Sequence, residues 1–133
     1  MPSKVNSGGR GPRSMALVLT TTASRSQANR LIEDALRLRL AACAITWPVD
    51  SRYWWKGRRE RAREFAVLFK TTRTGVRSLM DRLSKKHPYE VPEIAQVDVR
   101  RVSPPYLKWL ETETTTPRAH RRVRNTSKPR RRE

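Results

Sequence analysis

The densest chemistry in this chain lies in one short run, His87-Pro88-Tyr89-Glu90-Val91-Pro92-Glu93-Ile94. Two prolines four residues apart fix an extended turn and hold an imidazole, a phenol and two carboxylates around it. His87, Glu90 and Glu93 are metal-ligand types, imidazole suiting copper and zinc and carboxylate suiting harder cations. One imidazole needs companions for a transition metal, and the only other histidine, His120, stands in the basic run near the chain's end. A structural reading competes: His87 can close a helix or bond a carboxylate, and Glu90 and Glu93 can pair with Arg or Lys across a subunit boundary. The single cysteine, Cys43, follows two alanines in an apolar stretch, where a free cysteine usually behaves as a small buried hydrophobe. No cation or histidine stands beside it in the sequence to activate a thiol.

A second cluster is aromatic and basic. Tyr53, Trp54 and Trp55 sit among Arg52, Lys56, Arg58, Arg59, Arg61 and Arg63. Such a mixture can stack bases and hold phosphates. On a strand, alternate residues share a face, so Tyr53 and Trp55 point one way and Arg52, Trp54 and Lys56 the other. Trp54 therefore either packs on a neighbouring subunit or joins a basic-aromatic surface. The sequence holds no nucleophile–base pair, P-loop, Gly-rich dinucleotide turn or Cys-x-x-Cys, so it offers no basis for an enzyme.

The elements that position these residues read β-α-β-β-α-β with a short terminal helix. Met15–Thr22 is a nearly continuous apolar run suited to a covered strand. Ser24 can cap a helix in which Ala28, Leu31, Ile32, Ala35 and Leu36 form one stripe. Ala41–Lys56 reads as extended, with an interruption at Pro48-Val49-Asp50, and Arg58–Arg63 as a turn region with exposed strand ends. Phe65–Phe69 is a buried strand. Thr72 or Thr74 opens a second helix with the stripe Val76, Leu79, Met80 and Leu83, and His87-Pro88 closes it. Ala95, Val97 and Val99 alternate with polar residues in a strand with one wet face. Ser103-Pro104 opens the last helix, which turns Tyr106, Leu107 and Leu110 inward. This order predicts an α+β, ferredoxin-like fold: a four-stranded antiparallel sheet with two helices on one face, plus the short C-terminal helix.

The 133 residues fit one domain, and the periodic apolar runs fall within Met15–Leu110. Residues 1–14 and 112–133 read as disordered basic tails around a domain at 15–111, and Met15 is an alternative start of translation. Of the net charge of +18, the first segment carries +3, the last +6 and the domain +9. Basic tails and a basic surface attract nucleic acid or anionic membranes without a sequence-specific site; the plainer reading is solubility in an arginine-rich chain. No apolar run reaches membrane-spanning length, the N-terminal residues lack a secretory h-region, and one cysteine allows no intramolecular disulfide. A cytoplasmic protein is expected.

The run from His87 to Ile94 resembles the HPYEVPEI signature of the CutA family at all eight positions. Leu40-Ala41-Ala42-Cys43, Ser51-x-Tyr53-x-Trp55-x-Gly57, Glu64 ahead of Lys70-Thr71, and Tyr106-Leu107-x-Trp109-Leu110 are similar to family features over residues 15–111. The resemblance implies a ferredoxin-like protomer in a tight homotrimer that binds copper or another divalent cation without catalysis. It also implies packing roles, at the trimer contact, for Tyr53 and Trp55, with Trp54 and Tyr89 as further candidates for that contact. In a well-known bacterial member of that family, copper is ligated by a cysteine near the end of the first strand and two adjacent histidines before Pro-Tyr. Thr20 and Lys86 stand at two of those positions here, so His87 is left with Glu90 and Glu93 as its nearest possible partners. Two other readings are a nucleic-acid-binding or interaction scaffold using the tails and the Arg/Trp-rich hairpin, and a regulatory trimer holding a small anion between subunits.

Overall fold

The structure, a computed structural model, describes residues 14–114. Apart from Ser14 and residues 112–114, the two expected tails, with His120, lie outside the described residues. The order is β1 (Met15–Thr22), α1 (Arg25–Arg37), β2 (Cys43–Trp55), β3 (Arg58–Thr72), α2 (Val76–Lys86), β4 (Ala95–Asp98) and α3 (Pro104–Glu113). The strands form one antiparallel sheet in the order β2-β3-β1-β4. α3 reaches two residues past the expected start of the tail, and Arg39 holds its end through Glu113 at 3.1 Å.

Local chemistry explains most boundaries. Ser24 caps α1 by accepting the Gln27 N–H at 3.1 Å, while the Gln27 side chain accepts from the Ala23 N–H. Ala28, Leu31 and Ala35 of α1 and Val76, Leu79 and Leu83 of α2 are buried against Ala16, Val18, Val67 and Phe69 of the sheet. Arg82 on α2 grips Asp34 on α1 with two hydrogen bonds of 2.7 and 2.9 Å, holding the Asp34 carboxyl below its ordinary range.

Four expectations change. Pro48 does not interrupt β2; it pairs with Phe65, because an edge strand tolerates a missing N–H on its outer side. Arg58–Arg63 is strand rather than turn, since the reversal is confined to Lys56 and Gly57, whose φ angles of 52° and 78° make a tight hairpin turn. Neither Thr72 nor Thr74 caps α2. Gly75 holds that position, and the Thr72 hydroxyl accepts the Gly75 N–H at 3.1 Å. Finally β4 has no dry face, for Val97 is 48% exposed.

That exposure belongs to a wider feature. α1 and α2 cover one side of the sheet, and the pleat gathers Leu17, Leu19, Ile45, Trp47, Leu68 and Val97 on the other, where Lys70 lies 5.8 Å from the Tyr106 ring of α3. Ile45 and Trp47 there are 43% and 40% exposed. Beyond the last β1 pair, Thr22 with Phe65, β2 and β3 continue alone from Val49–Glu64 to Trp55–Arg58. These pairs make a two-stranded arm about 23 Å long.

Candidate functional site

At the root of the arm, the segment after α2 passes the end of β1 and the middle of β3 and closes a groove of about 910 Å³. Tyr53 and Trp55 line it from the arm, Glu64 from β3, and Tyr89, Glu90 and Glu93 from the crossing segment. The proline-stiffened run thus brings two carboxylates and the Tyr89 ring to a wall that already holds Glu64, Tyr53 and Trp55.

His87 is the C-cap of α2, and its backbone N–H donates to Leu83 O at 2.8 Å. Its ring is fully engaged. The Tyr89 N–H donates to Nδ1 at 3.1 Å, so Nδ1 carries no proton. Nε2 therefore carries it and donates to the Thr21 carbonyl at 2.9 Å, with the Thr20 hydroxyl 3.0 Å away. Burial holds the imidazole's pKa below its ordinary value, against smaller raising effects of the Thr21 carbonyl and the Glu64 charge. Protonating Nδ1 would set two N–H groups against each other.

Tyr89 packs against that ring, centroids 4.9 Å apart, and its hydroxyl donates to Glu64 Oε2 at 2.5 Å. Burial, then the Glu64 hydrogen bond and charge, push the phenol's pKa well above its ordinary range. Glu64 is only 9% exposed and accepts this bond from the far side of the groove. Sequence reading noticed Glu64 without its partner, because nothing in a separation of 25 residues announces the contact.

Glu90 and Glu93 are exposed on the groove's rim. Among the described residues, no three His, Cys, Asp or Glu side chains come together in a way that could hold a metal ion. His87, Glu90 and Glu93 are therefore not assembled as a ligand set within one chain. Thr20 is fully buried under the His87 ring, and Lys86 is exposed in the last turn of α2. Cys43, expected to be buried, is half-buried at the start of β2. Tyr53 and Trp55 are each 43% exposed, with Lys56 Nζ 5.7 Å from the Trp55 ring centre, and Trp54 is 70% exposed on the arm's opposite face.

The engaged imidazole gives a pH prediction. A histidine whose folded pKa is depressed lends stability that is complete above its unfolded value of about 6.5 and is lost as pH falls through the folded value. Urea midpoints should therefore decline below about pH 6.5, and His87→Gln should flatten that decline. An unchanged pH profile in the variant would show that the ring bonds contribute nothing.

Sheet order β2-β3-β1-β4, with both crossover helices on one face, makes this a ferredoxin-like α+β protein. Its groove is built from the very run that carried the resemblance. The CutA1 divalent ion tolerance protein family matches residues 16–113, and the chain belongs to that family. The divalent-cation tolerance protein CutA of Pyrococcus horikoshii is 37% identical over 100 residues, covering 75% of this chain and 98% of its own. A crystal structure of a CutA1 variant from Pyrococcus horikoshii OT3 superposes with a TM-score of 0.74 at 36% identity, covering 76% of this chain and 99% of the other. The periplasmic divalent cation tolerance protein CutA from Archaeoglobus fulgidus gives 0.72 at 29% identity, covering 74% and 97%. Among the described residues no helix is long and apolar enough to cross a membrane.

Proposed function

We propose that the protein serves divalent-cation tolerance as a non-catalytic homotrimer, with cations engaged at the groove rim between subunits. The observation that carries this reading is the open apolar sheet face together with the arm. A two-stranded ribbon is marginal by itself in water, and this one extends from a sheet whose second face offers Ile45, Trp47 and Val97 to solvent. Copies of the chain packed on that face would cover it and the groove side of the arm. Tyr53, Trp55 and Tyr89 then become contact residues around the groove.

The same arrangement relocates the cation. His87 spends both ring nitrogens inside the fold, whereas Glu90 and Glu93 are exposed and available to be completed by a neighbouring subunit. Copper is the cation to place there first, since Cu²⁺ leads the divalent series for a given nitrogen–oxygen donor set. We place the protein in the cytoplasm, where a chain with one cysteine keeps its thiol reduced.

Calorimetric titration of the full chain with Cu²⁺, in a His120→Ala background, tests the reading. Saturable binding should survive His87→Gln and disappear in Glu90→Gln/Glu93→Gln. Loss in His87→Gln with retention in the double variant would return the site to the imidazole. Absence of binding in the parent would remove copper from the account.

A further inference from the structure

The arm's other face carries a different chemistry. The pleat sets Arg52 and Trp54 of β2 beside Arg59, Arg61 and Arg63 of β3, and all five are exposed. Arg61 lies directly opposite Arg52, and Arg59 directly opposite Trp54. Like charges facing each other across a strand pair are destabilising, and among the described residues none of these four arginines forms an ion pair. The one carboxylate on this face of the arm is Asp50, across from Arg63, while Glu60 is paired with Tyr53 on the groove side. A large aromatic ring, 70% exposed, thus stands among guanidinium groups that form no ion pair with any described residue, although Arg52 and Arg63 also reach the groove. Like charges set side by side in this way repel, and a bound anion relieves that repulsion.

We propose that this face of the arm binds single-stranded nucleic acid, Trp54 stacking on an unpaired base while Arg52, Arg59 and Arg61 engage the flanking phosphates. Guanidinium forks match phosphate oxygens two at a time, and every base offers a π-face to an exposed indole. A lipid surface would call for an apolar stripe, whereas Trp54 is the sole apolar side chain among the arm residues on this face. The proposal is independent of the cation reading. In a trimer, three such arms on one particle would bind a long strand with added avidity.

The test is fluorescence anisotropy of a labelled oligo-dT of about 20 nucleotides with the full chain, over a range of salt. Because the basic runs near both ends attract any polyanion, Trp54 is the decisive position. Trp54→Ala should weaken binding about tenfold or more, and Trp54→Phe should restore most of it. Arg59→Gln/Arg61→Gln should lower the slope of log affinity against log salt by about 1.4. A duplex of equal length should bind more weakly than the single strand. Equal affinities for parent and Trp54→Ala, or for strand and duplex, would overturn the proposal in favour of bulk charge attraction. Loss of binding to phosphatidylserine vesicles in Trp54→Ala, with the oligonucleotide affinity unchanged, would overturn it in favour of a membrane surface.

Discussion

A chain carrying Ile45→Glu should sediment as a monomer of 15.5 kDa with its secondary structure intact. Ile45 is 43% exposed at the middle of the open sheet face, opposite Leu68, so a glutamate there is well hydrated in the isolated chain. In the proposed assembly the same carboxylate is enclosed among apolar side chains without a cation to pair it. Burying an unpaired carboxylate costs several kcal/mol. Even about 3 kcal/mol at each contact raises a dissociation constant by more than a hundredfold. Analytical ultracentrifugation at micromolar concentration, beside far-UV circular dichroism, reads both parts of the prediction. A variant that keeps the parent's assembled mass would show that this face is not the contact.

Phe69→Ala acts on the opposite face and should have the larger effect on folding. Phe69 has no exposed surface, pairs with Val18 and Ala44, and is the largest fully buried side chain in the core under α1 and α2. Removing a buried phenylalanine costs about 3–5 kcal/mol, from the lost transfer energy and the cavity left behind. Since whole domains are held by about 5–15 kcal/mol, the variant should unfold at much lower urea than the parent. The comparison is made at one protein concentration, because assembly adds stability by mass action. A change below about 1 kcal/mol would mean that the core collapses to fill the space.

These two residues also show what could be read in advance. Phe69 belongs to the run Phe65–Phe69, whose apolar density identified a buried strand, and the stripes of α1 and α2 were legible for the same reason: one face meets a core and the other meets water. Arg58–Arg63 was misread because both faces of the arm are open in a single chain, so no core imposed an apolar alternation on it. Val97 misled in the opposite sense. It has the composition of a core residue, but among the described residues its part of the face is left open, 48% of its surface meeting solvent.

The site was legible as a run and not as a set of contacts. Two prolines and His87-Pro88 fixed where α2 ends and which side chains gather after it. Who bonds whom depends on strand register across dozens of residues. Thr20 and Thr21 meet His87 because β1 lies beside the end of α2, and Glu64 meets Tyr89 because β3 lies beside β1. Without those contacts the imidazole looked free for a metal; with them, it is a rivet of the fold. The carboxylates on the rim are what remains exposed for a cation.

In the proposed homotrimer, the second and third copies cover the open sheet face and the groove side of the arm and complete the rim carboxylates. The most direct measurement is the mass of the full chain in solution by sedimentation equilibrium, across a hundredfold range of concentration around one micromolar. A single species at three times the 15.5 kDa chain mass is the expected result. A stable species at 15.5 kDa throughout that range would contradict it, leaving the apolar face uncovered and Glu90 and Glu93 without a neighbouring subunit to complete them.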